Sequence, residues 1–193
     1  MEDEYMKHTA TRTRSMVYCA LFTALIAVGA FIRIPVPVCP FTLQFLFTML
    51  AGLLLGGKYG ALSVLVYLCV GLLGLPVFAD GGGIGYVFQP TFGYLIGFCV
   101  ASYVTGVIAN RTAQPSLKRL LGANFLGLLI VYAMGMLYYW LICTFYVGTG
   151  IGIWTLFLYC FLLAVPGDIL LCILAAFLGK RLIPILRKER AEK

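Results

Sequence analysis

The chain has 193 residues, of which 62% are hydrophobic and only 11% charged. A soluble core of this size cannot enclose that much apolar surface, so an integral membrane protein is expected and a soluble enzyme or binding domain is excluded. The formal net charge of +7 does not point to nucleic acid, because the basic residues form short clusters at the ends of apolar runs and not one basic face.

Residues 1–15 read as a polar tail and contain His8, the single histidine, which leaves no material for a His-dependent intramembrane protease or a His-rich metal site. The first apolar run, 16–34, has no small-residue cleavage site and is followed by further runs, so it reads as a retained span. Ala20, Ala24 and Ala27 recur along it at helical spacing. Such a smooth strip suits close helix contact, either within the chain or with a partner. Arg33 precedes "IPVPVCP" and is either an interfacial anchor or a contact for an anionic group.

A short run at 42–56 is the weakest span, and 59–78 is a clear one. The stretch "DGGGIGYVFQPT", residues 80–91, is rich in glycine but lacks the GK[ST] ending of a phosphate loop. It reads either as a tight re-entrant turn or as backbone that a ligand can approach, with Tyr86 and Gln89 beside Gly82 and Gly83. Spans at 91–109, 120–147 and 153–179 complete a six-helix, all-α membrane domain over 16–186, followed by a tail at 187–193. Seven cysteines scattered singly through these runs, with no CxxC pair, read as small buried hydrophobes.

Charge placement gives the orientation. Thirteen of the fourteen Lys and Arg residues fall before the first span, in the loops holding Lys58 and holding Arg111, Lys118 and Arg119, or after the last span from Lys180 onward; Arg33 alone falls on the other side. The positive-inside rule then makes both termini cytoplasmic. The same sorting leaves Asp80 and Asp168 as the two acids beyond the cytoplasmic surface. Asp168 sits in "LLAVPGDILLCILAA", about 14 residues past Trp154, so roughly 20 Å of continuous helix would place it mid-span. Pro166 and Gly167 would kink that helix. A carboxylate at this depth costs several kcal/mol on insertion, roughly 2.5 or more, and so marks either a ligand with N–H donors or a proton carrier.

Three stretches, 29–56, 59–98 and the "PGD" of 166–168, resemble BioY, the biotin-specific substrate-binding (S) component of energy-coupling factor (ECF) transporters, and the resemblance runs over about residues 16 to 180. It implies a multi-pass cell-membrane protein of six helices that captures biotin from outside and releases it inward. Its partners would be a transmembrane coupling protein and two ATPase subunits; it implies no ATPase of its own, no cofactor, no metal and no nucleic acid. Ala20 and Ala24 would contact the coupling protein, and residues 35–42 would act as a lid. Tyr86, Gln89, Gly82, Gly83 and Asp168 would line the site, with Asp168 accepting hydrogen bonds from the ureido N–H groups. Two positions depart from the family pattern: Leu171 stands where a lysine is common, and Phe92 where glycine is common. Without that lysine, Arg33, Gln44 or solvent would meet the biotin carboxylate, and dethiobiotin or lipoate remain related ligands. The competing reading is a proton-coupled secondary transporter using Asp168; a purely structural membrane protein would bind no ligand.

Overall fold

The computed structural model describes residues 2–34, 41–112, 114–148, 152–162 and 164–191. Among these residues it is helical apart from one small strand pair and a single bridge between Phe78 and Gly81. In chain order the elements are α1 (Glu2–Phe31), β1 (Arg33–Ile34), β2 (Phe41–Thr42), α2 (Gln44–Leu55) and α3 (Gly57–Leu72), followed by α4 (Phe92–Ala109), α5 (Leu117–Ile142), α6 (Ile153–Phe157) and α7 (Val165–Ala191). A 3₁₀ turn (Ile84–Phe88) lies before α4, and π-helical turns follow α5 (Cys143–Val147) and α6 (Leu158–Leu162). The strands pair antiparallel, Arg33 opposite Thr42 and Ile34 opposite Phe41.

Among the described residues, four segments are long and apolar enough to cross a membrane: Thr13–Phe31, Phe92–Ala109, Leu117–Val147 and Trp154–Lys188. Burial follows the logic of a lipid solvent. Leu21, Val28, Leu65, Leu129, Leu137, Leu170 and Phe177 face outward, whereas Gln44, Thr48, Ser63, Ser102, Thr105, Asn124 and Asp168 are enclosed. Exposed aliphatic residues cost nothing against acyl chains, and several of the enclosed polar side chains find protein partners. Asn124 Nδ2 of α5 donates to Cys172 O of α7 at 2.9 Å, and Thr105 Oγ1 of α4 donates to Ala123 O of α5 at 3.1 Å.

The short helix α2 is the hub. Its 12 residues give about 18 Å of helix, less than a bilayer core, and α1, α3, α4 and α7 all pack around it. It turns into α3 through Gly56 at φ 86°, a conformation few residues other than glycine accept. At Gly106 of α4 a methyl would lie 2.6 Å from Gly52 O and 2.5 Å from Gly57 N, so α4 crosses the α2–α3 turn at backbone contact.

The basic clusters gather at the same end as this turn. Arg187 donates to Thr112 O at 3.0 Å and to Asn110 Oδ1 at 2.8 Å, Lys180 donates to Pro115 O at 3.0 Å, and Asn110 Nδ2 donates to Leu53 O at 3.2 Å. Arg33 and the glycine-rich loop occupy the opposite end of the bundle.

Three features differ from expectation. Helix α1 begins at Glu2, so helix extends back through the polar tail. The helix ending the chain runs to Ala191, past residue 179. The segment 153–179 is not one kinked helix: α6 and its π turn end at 162, and α7 starts afresh at Val165. Pro166 explains the restart, because a residue with no N–H and a preset φ is best placed in a helix's first turn. Asp168 therefore stands in the first turn of α7 and not mid-helix.

Candidate functional site

The break before α7 sets the site. Asp168 N closes the first turn on Ala164 O at 3.2 Å, and the carboxylate, 9% exposed, lies near the positive end of the helix dipole, where negative charge is stabilised by about 0.3–1 kcal/mol. Its Oδ2 accepts the hydroxyl proton of Tyr132, on α5, at 2.5 Å. Tyr132 is held edge-on between Tyr94 of α4 (5.9 Å, 88°) and Phe161 (5.5 Å, 80°).

Asp168, Tyr132 and Tyr94 face one part-open cavity of about 70 Å³. Helix α4 contributes Tyr94, Leu95 and Phe98, at helical spacing on one face. The start of α2 contributes Gln44 and Phe45, the strand before it Phe41 and Thr42, and α5 Val131 and Tyr132; Ala79, Asp80, Tyr86, Thr91 and Ala164 complete the wall. The lining is aromatic and aliphatic with a few placed polar groups, which suits a ring-bearing ligand with N–H or C=O edges.

At the rim, Arg33 donates to Asp80 Oδ1 at 2.5 Å and to Ala79 O at 2.9 Å. The pair joins the strand region to the glycine-rich loop across the mouth; with the two side chains 43% and 48% exposed, solvent screening leaves it a small stabilising effect. Tyr86 packs tilted against Phe78 with ring centroids 4.5 Å apart, and Phe78 meets Tyr67 edge-to-face at 5.3 Å. Burial first, then the nearby Asp80 charge, pushes the Tyr86 pKa up, so the phenol stays neutral and able to donate at physiological pH.

Of the residues singled out from sequence, Asp168, Tyr86 and Gln44 line this cavity. Arg33 reaches it through Asp80. Gln89, Gly82 and Gly83 do not line it. The Gln89 side chain is exposed while its backbone closes turns with Tyr86 O and Phe92 N, each at 3.0 Å. A methyl on Gly82 would collide with Leu75 O, and Gly83, at φ 101°, donates to Gly71 O at 2.7 Å; these glycines let the loop fold down on the end of α3. Ala20 and Ala24 lie exposed on α1, away from the site. Residues 35–40 of the expected lid lie outside the described residues. Phe92 is buried between Tyr86 and Tyr138, and neither it nor Leu171, buried one turn beyond Asp168, is among the lining residues.

Sequence reasoning missed Tyr132, Tyr94 and Phe98. The i, i+4 pair Tyr94 and Phe98 carried a usable signal, since both fall on one helix face. Tyr132 carried none, because its pairing with Asp168 spans 36 residues.

Residues 4–188 match the BioY family. A probable biotin transporter BioY of Lysinibacillus sphaericus is 47% identical over 181 residues, covering 94% of this chain and 92% of that protein. A biotin transporter BioY of Thermotoga maritima is 44% identical over 124 residues, 64% of this chain and 72% of that one. The crystal structure of an S-component for biotin from an ECF-type ABC transporter is similar with a TM-score of 0.74 at 28% identity, covering 90% of this chain and 92% of that chain.

Proposed function

The chain belongs to the BioY family, and from that premise we propose that it is the biotin-capturing S-component of an ECF-type importer, a transport protein and not an enzyme. Asp168 carries the reading: a buried carboxylate in an aromatic-lined cavity, held by Tyr132. The ureido ring enters with an N–H toward Asp168, and Tyr86, Tyr94 and Phe98 enclose the bicycle. Gln44 is a further polar wall residue, and Arg33 at the mouth is placed to meet the carboxylate tail. Gln89, Gly82 and Gly83 shape the loop that carries Tyr86.

The bundle crosses the cell membrane six times with both termini cytoplasmic. Supporting this, Arg111, Arg119, Lys180, Arg187 and Lys188 cluster at the end opposite the cavity mouth, and the shorter apolar helices α2 and α3 serve as the remaining spans. Ala20 and Ala24 form an exposed small-residue strip suited to docking on the transmembrane coupling protein, which works with two ATPase subunits. ATP-driven tilting of the bundle then opens the site inward.

Isothermal titration of the detergent-solubilised protein with biotin tests ligand identity: heat at micromolar biotin or below is expected, and its absence overturns the assignment. Uptake in cells without the ATPase module separates this reading from a proton-coupled carrier. Uptake that persists there and collapses with the proton gradient would refute an ECF component.

A further inference from the structure

The cavity sets an acceptor that is half used beside a donor that is not used at all. Gln44 opens α2, is 3% exposed and lines the cavity, yet among the described residues its Nε2 has no hydrogen-bond partner. The Tyr67 hydroxyl, which donates to Val77 O at 3.1 Å, approaches the amide closely enough to interact with it weakly but does not reach hydrogen-bond geometry with Nε2. The backbone beneath is fixed, since Thr48 Oγ1 donates to Gln44 O at 2.7 Å. A buried amide nitrogen with no partner is rare in folded proteins and calls for an external acceptor.

Asp168 is the complementary group. Its Oδ2 accepts a hydrogen bond from the Tyr132 hydroxyl, which leaves Oδ1 to accept from a ligand. Both residues line the same cavity, and Phe41, three positions before Gln44, packs on Gly167 next to Asp168: a methyl there would lie 2.6 Å from the Phe41 ring. A ligand that satisfies both must carry an N–H next to a C=O on one rigid edge, and a cyclic urea does.

We propose that Gln44 is a specificity-determining residue, its amide donating to the ureido carbonyl oxygen while Asp168 accepts from the adjacent ureido N–H. This rests on biotin being the ligand. It assigns to Gln44 the reading of one atom, so it predicts discrimination against analogues that keep both N–H groups but weaken the acceptor.

The test compares biotin with 2-thiobiotin, whose sulfur is a poor acceptor, by isothermal titration of the full-length wild-type protein, Gln44→Met and Gln44→Leu. Wild type should prefer biotin by about 10- to 100-fold, as expected when a buried donor is left unpaired. Both variants should lose most of that preference, to within about threefold, by binding biotin more weakly. A purely structural role would weaken both ligands equally and leave the preference intact, which overturns the proposal. The infrared band of biotin labelled with ¹³C at the ureido carbonyl gives a reading that needs no variant. In the wild-type complex it should lie below its position in an aprotic solvent; an unshifted band overturns the assignment of Gln44 while leaving biotin binding in place. Failure of wild type to bind biotin at all overturns the functional reading and this one with it.

Discussion

Replacing Asp168 by alanine removes two interactions at once, and the geometry allows each to be weighed. The ligand loses a hydrogen bond to a charged acceptor, worth about 1.5–3 kcal/mol, or about 10- to 150-fold in Kd. The Tyr132 hydroxyl, which donates to Asp168 at 2.5 Å on a residue 3% exposed, is then stranded once the ligand closes off water, a further cost of about 1–3 kcal/mol. Together they predict a weakening of about 10²- to 10⁴-fold. Asp168→Asn should fall between this and wild type, because the carboxamide oxygen still accepts from Tyr132 but the charge is gone. Tyr132→Phe, which deletes only the hydroxyl, should cost about 1 kcal/mol, near fivefold. Titration calorimetry of each variant, with monodispersity on size exclusion as the check on folding, measures the series. A folded Asp168→Ala protein that binds biotin within about threefold of wild type would refute the reasoning.

Three further outcomes follow from the geometry. Gly167→Ala should push the Phe41 ring, whose Cε2 would lie 2.6 Å from the new methyl, and overpacking of this kind costs about 1–3 kcal/mol; thermal unfolding and biotin titration should both register it. Arg33→Ala should change stability by less than about 1 kcal/mol, since the pair with Asp80 is half-exposed, while the biotin dissociation rate measured by filter binding rises several-fold through loss of the tie across the mouth. Ala20→Leu combined with Ala24→Leu should leave biotin affinity unchanged, as both positions are exposed and remote from the cavity, but should abolish uptake in cells carrying the whole transporter; full uptake would remove this strip from the docking face.

The long apolar runs were legible in the sequence because a bilayer demands length and composition, and α4 and α5 satisfy both demands without interruption. The region from 153 to 168 was not, because the residues of the π turn and of the break are as apolar as those of a continuous helix. Only Pro166 marks the restart, and a proline after a hydrophobic run reads equally as a kink. Gly82 and Gly83 were legible as part of a tight turn but not in their orientation. Their requirement comes from Leu75 and Gly71, and contacts set by the fold leave no local pattern. Gln44 stood out as an amide in an apolar run, whereas its unmet donor is a property of its neighbours.

The same break answers how an acid is tolerated in "LLAVPGDILLCILAA". Inside a continuous helix Asp168 would face the bilayer depth with no free backbone dipole beside it, and a cation one turn away would be the obvious remedy. With α7 beginning at Val165, the carboxylate meets a helix N-terminus and a phenol donor in place of that cation. Leu171 can then be buried in the apolar packing. A neutral donor leaves the second oxygen free and adds no competing positive charge to the cavity, so the ligand's own N–H completes the site. It follows that introducing a lysine by Leu171→Lys should not raise biotin affinity: the ammonium would compete for the carboxylate at the position where the ligand binds, and an improved Kd on titration would contradict this account of the charge balance.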